Sequence, residues 1–142
     1  MPKLTYTPEG REDDPYVFEF EWGDLMSPEC VAIEKLTGLD YYEDVPPKFY
    51  GGNVETIHAI LYVLMKRSIP TMKPESLQFR GREIERAFSV AEARAAVDAI
   101  HEESGTDPDG WSREEALVMR TMEETLKDEL PPQPERGDDP KD

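Results

Sequence analysis

The sequence predicts a mainly α fold with a small N-terminal β-hairpin, in which a helical core is followed by a C-terminal helical hairpin. Three observations carry this expectation. Period-two alternation of apolar residues is confined to the first 22 positions, whereas beyond Ser27 apolar residues recur at helical spacing. Helix-start signals recur along the chain at Ser27-Pro28-Glu29, at Asn53, at Ser89 with Glu92, and at Ser112 with Glu115. The length, 142 residues, suits one small domain with an appendage. The expected organisation is a hairpin-plus-helical core over residues 1–88, a helical hairpin over 89–130, and a disordered acidic, Pro-rich tail over 131–142.

Lys3 to Thr7 alternates weakly, with Leu4 and Tyr6 on one face. Pro8-Glu9-Gly10 and Asp13-Asp14-Pro15 carry turn chemistry. Tyr16, Phe18, Phe20 and Trp22 then alternate with Val17, Glu19 and Glu21, the pattern of a half-buried strand. A lone hairpin is marginal, so its aromatic face should cover the helices that follow. Ser27 caps a helix with Pro28 at its first position, and Cys30, Ile33 and Leu36 repeat until Gly38 ends it. Asp40 is expected to cap a short helix holding Tyr41, Tyr42 and Val45, interrupted by Pro46-Pro47.

Asn53 caps the strongest helix, Val54 to Arg67. Its stripe of Val54, Ile57, Leu61 and Leu64 is widened by Ile60, Val63 and Met65, so it should be buried on more than one side. A short helical turn is expected near Glu75 to Phe79, and residues 80–88 give no clear pattern. The last two helices carry Val90, Ala93, Val97 and Ile100, and then Val118, Met122, Leu126 and Leu130, as their inward stripes.

Charge narrows the function. Lys and Arg total 16 against 32 Asp and Glu, a net charge of -16, which disfavours a phosphate-neutralising nucleic-acid binder or docking to anionic lipid. The acids concentrate at the two ends: residues 1–50 carry -8, residues 51–100 carry +1 and residues 101–142 carry -9. Cys30 is the single cysteine, so a disulfide framework and a cysteine zinc cluster are not expected; it reads as a small buried hydrophobe. Without an apolar leader near Met1 or a run long enough to span a bilayer, the chain reads as cytoplasmic.

No motif supports catalysis. Carboxylate pairs are too frequent for any one to stand out as an acid/base pair. His58 and His101 lie on different helices without metal-ligand spacing. Placing Gly110 at position six of a calcium loop puts Gly105 at position one and Ala116 at position twelve, where ligands are needed. No cofactor is expected. Trp22, Tyr41, Tyr42, Phe49 and Tyr50 crowd the segment around the first helix, and aromatic residues are enriched at interface anchors. Tyr41, Tyr42 and Tyr50 are therefore the candidate partner surface, with packing of the hairpin against the helices as the alternative.

The runs Leu25-Met26-Ser27-Pro28-Glu29, Ile33-Glu34-Lys35-Leu36-Thr37-Gly38 and Ala59-Ile60-Leu61-Tyr62-Val63-Leu64-Met65-Lys66-Arg67 resemble tail assembly chaperones of long-tailed bacteriophages, particularly those infecting actinobacteria. The resemblance covers about residues 3–80. It implies a non-enzymatic protein of the host cytoplasm that binds the tape measure protein, helps recruit tail-tube protein subunits, and leaves before the virion matures. Self-association is a further option. Two other readings stay open: an acidic nucleic-acid mimic that blocks a host DNA-binding protein, and a structural component of the virion tail or connector.

Overall fold

The computed structural model describes residues 1–129. Three short strands, β1 (Lys3–Tyr6), β2 (Tyr16–Glu19) and β3 (Ile84–Ala87), form an antiparallel sheet in the order β2-β1-β3. Five helices complete the fold: α1 (Ser27–Thr37), α2 (Val45–Tyr50), α3 (Val54–Lys66), α4 (Val90–Ser104) and α5 (Arg113–Glu129). The fold is mainly α, with the expected pairing of β1 and β2 in register Leu4 to Phe18 and Tyr6 to Tyr16. The expected two-stranded hairpin has a third strand. Residues 84–87 return to the free side of β1, pairing Arg86 with Leu4 and Ile84 with Tyr6. The long separation in sequence and the charged residues of Ile84-Glu85-Arg86-Ala87 hide this strand from a reading of local pattern.

Helix α1 begins at Ser27 with Met26 as the cap residue, one position earlier than the Ser27 cap expected from sequence. Glu29 reaches back to the Met26 N–H at 3.0 Å, and Pro28 occupies the first turn where an N–H has no intrahelical partner. Gly38 closes the helix in the left-handed region at φ 73°. The expectation that Pro46-Pro47 interrupts a helix is corrected: the two prolines sit in the first turn of α2, and Asp40 instead organises the preceding turn, accepting from the Tyr42 and Glu43 N–H groups. Asn53 caps α3 through the Thr56 N–H at 2.9 Å.

Helix α3 is the centre of the core. Every residue from Ala59 to Met65 is buried, so its surface is covered on several sides. α1 and α2 pack on it. Val54, expected in its buried stripe, is 65% exposed at the first position of α3, whereas Thr56 and Ile57 in the same turn are buried. The short helical turn expected near Glu75 to Phe79 is a 3-10 turn over Pro74–Ser76.

The C-terminal pair is a helical hairpin, as expected. Ser89 and Glu92 form one capping box, and Ser112 and Glu115 form the other. Glu115 also accepts from the Ser104 hydroxyl at 2.8 Å, tying the end of α4 to the start of α5. Trp111 closes the connecting turn, donating from Nε1 to the Gly105 carbonyl at 2.8 Å and stacking on His101. α5 also packs on α2, so the hairpin sits against the core, with Val118, Met119 and Met122 buried. Leu130, expected in the inward stripe of the last helix, and the segment 131–142, expected to be a disordered tail, lie outside the described residues.

Candidate functional site

The three tyrosines expected at a partner surface have three different surroundings. Tyr41 is 1% exposed, so its place on such a surface is corrected. Its hydroxyl donates to the Trp22 carbonyl at 2.8 Å, and burial raises its pKa strongly, with a smaller contribution from Cys30. Tyr41 and Tyr42, expected in a short helix capped by Asp40, lie instead in the turn that precedes α2. Tyr42 is 67% exposed and rests edge-on against Tyr41, with centroids 4.9 Å apart. Tyr50 is half-buried; its hydroxyl accepts from Trp22 Nε1 at 2.9 Å, and burial raises its pKa.

Trp22 is the hub of this region. Phe20, Tyr41, Phe49 and Tyr50 meet its ring edge-on at 5.1 to 6.1 Å. Packing of the hairpin against the helices, the alternative reading of the aromatic cluster, thus accounts for Tyr41 and for one side of Tyr50. The other side of Tyr50 lines a concavity of about 450 Å³ between α2, α4 and α5. Its floor and walls are apolar: Pro47, Tyr50, Ala96, Ala99, Ile100 and Val118. Alanine at 96 and 99, one turn apart, leaves the α4 backbone close to the opening.

The rim is acidic. Glu103 is exposed at the mouth, beside Glu114 and Glu115. Glu114 pairs with Lys48 at 2.9 Å. The Ser112 backbone N–H, and then the Ser104 hydroxyl, lower the Glu115 pKa from its ordinary value. An apolar hollow with a carboxylate edge can accept an apolar side chain whose neighbours are cationic. Of these residues the sequence marks only Tyr50 as partner surface, because the others come together from three helices and no spacing along one helix reveals the concavity.

A second cleft, of about 480 Å³, lies between β3 and α5. Arg86 projects from the core side of β3, the face it shares with Leu4, and its Nη1 donates to the carbonyls of Phe49 and Tyr50 at 2.6 and 2.9 Å. These are the last two residues of α2, where the helix dipole favours a cation; the Phe49 carbonyl also accepts from the Gly52 N–H at 3.1 Å. Desolvation lowers the Arg86 pKa, yet the guanidinium remains charged at any ordinary pH. Gly52 lets it approach: a Cβ there would lie 3.3 Å from Nη2. Nothing in the unpatterned stretch 80–88 marks Arg86 as the clamp between sheet and α2.

The remaining reactive residues have structural partners. His58 Nε2 bonds the Leu77 carbonyl at 2.8 Å. Cys30 is half-buried with its thiol pKa raised by desolvation, which disfavours the thiolate. Among the described residues, no group of three His, Cys, Asp or Glu side chains could hold a metal ion, and no helix is long and apolar enough to cross a membrane. What the fold and the site define is a mainly α protein with an acid-rimmed apolar concavity. No family model matches the chain, nor does any curated protein or solved structure.

Proposed function

We propose that this chain is a non-enzymatic tail assembly chaperone of a long-tailed bacteriophage, acting in the host cytoplasm, that binds the tape measure protein and helps recruit tail-tube subunits. The observation that carries the reading is the apolar concavity between α2, α4 and α5 with Glu103, Glu114 and Glu115 at its edge. Such a site holds an apolar side chain of an amphipathic client segment and leaves the client's polar face in water. The net charge of -16 keeps chaperone molecules apart while each covers a client that would otherwise aggregate. The motifs over residues 3–80 supply the tail-assembly context.

The test is capture of the tagged chain from cells expressing the full tail gene set, at low and high salt. Tape measure or tail-tube protein should be recovered at both, because an apolar anchor is insensitive to screening. Recovery of a host DNA-binding protein that is lost at high salt would replace this reading with nucleic-acid mimicry. Finding the chain in purified virions would replace it with a structural role in the particle.

A further inference from the structure

We propose that the outer edge of β3, facing α5, is a strand-addition site for an extended polypeptide segment of a partner protein that carries an acidic side chain opposite Arg86. β3 lies at one side of the sheet, so half of its backbone groups face away from β1. The phase of the ladder says which half. The Thr7 N–H donates to the Glu83 carbonyl at 2.8 Å, and on the other side of β1 the Phe20 N–H donates to the Pro2 carbonyl at 3.1 Å. Glu83, Glu85 and Ala87 therefore bond towards β1, while the N–H and C=O of Arg86 point outward. Neither has a hydrogen-bond partner among the described residues.

That edge borders a cleft of about 480 Å³ whose far wall is α5, at Arg120, Thr121 and Glu124. An added strand would satisfy the Arg86 backbone groups and place its side chains alternately on the two faces of the sheet. The side-chain chemistry differs between those faces. On the core side stands the Arg86 guanidinium, which uses Nη1 on α2; Nε and Nη2 make no hydrogen bond among the described residues. Arg120 stands across the cleft. Neither arginine has a carboxylate within ion-pair distance among the described residues, in a protein with twice as many acids as bases. On the outer face stands Glu85, in register with Thr5. The geometry thus favours a strand with an acidic residue towards Arg86 and a basic one on the opposite face beside Glu85. This site is separate from the concavity between α2, α4 and α5 and does not depend on the tail-assembly reading.

The experiment uses the full chain, labelled with nitrogen-15, and two blocked pentapeptides of identical composition and zero net charge, Val-Lys-Glu-Thr-Val and Val-Glu-Lys-Thr-Val. The first presents Glu on the face shared with the two valines, and the second presents Lys there. The first should shift the Arg86 amide resonance, slow its hydrogen exchange about tenfold, and bind about tenfold more tightly than the second. N-methylation of its central residue should abolish the exchange protection. Arg120→Glu, an exposed change on α5, should weaken the first peptide with no change in Tm. Equal binding of the two peptides, or a shift without slowed exchange, would overturn the proposal. So would an Arg86 amide already protected without peptide: protection rising with protein concentration would assign the edge to a second copy, and concentration-independent protection to the chain itself.

Discussion

At Tyr41 and Tyr42 two adjacent phenols do opposite things, and the difference is measurable. The Tyr41 hydroxyl is buried on the Trp22 carbonyl, so Tyr41→Phe removes a donor and leaves that carbonyl without its partner. The expected cost is about 1 kcal/mol in urea unfolding. Tyr42→Ala removes an exposed ring and should change stability by no more than about 0.5 kcal/mol. A sequence of two tyrosines cannot say which ring turns inward, because they share one local pattern and only the position of Trp22 breaks the tie. The same limit hid Arg86. Its role depends on two carbonyls 36 and 37 positions earlier, so nothing near it in sequence explains an arginine on the core face of a strand.

Among the elements, those set by local chemistry were legible and those set by distant partners were not. Asn53, Ser89 with Glu92, Ser112 with Glu115 and Gly38 all act where the sequence placed them, because caps satisfy backbone groups within one turn. β3 was missed because its stability comes from β1, some 80 positions away. Two predictions belong at this scale. Gly38 has φ 73° with nothing near the place a Cβ would occupy, so Gly38→Ala should cost about 1 kcal/mol, through backbone strain alone. The second concerns the link from α1 to the end of α3. Arg67 holds Glu29 through two hydrogen bonds of 2.7 and 2.9 Å, which keep the Glu29 carboxyl below its ordinary pKa. A depressed carboxylate adds stability that is complete above its unfolded pKa and disappears as pH falls through the folded one. Glu29→Gln should therefore lower stability by about 0.5–1 kcal/mol at neutral pH, with the gap closing in acid below the ordinary carboxylate range. Urea midpoints of both proteins across that range would check it.

For the molecule as a whole, the consequential contact is that of α5 with α2, which joins the helical hairpin to the core and creates the concavity between them. The apolar stripes of α4 and α5 showed that each helix buries a face, but a stripe does not name what covers it. Met122 on α5 is fully buried, and Met122→Ala should cost about 3 kcal/mol. Trp22 and Trp111 report on different parts of the molecule, and within each single-tryptophan variant the fluorescence and far-UV circular dichroism midpoints should coincide if the hairpin and core form one cooperative unit. The most direct test of the central claim fills the concavity without disturbing the core. Ala99 is exposed on α4 where it lines the opening, so Ala99→Trp should occupy the space a client side chain needs. Capture of tape measure or tail-tube protein should be lost in that variant while Tm stays within a few degrees of the parent. Undiminished capture by the filled variant would contradict the assignment of this concavity as the client site.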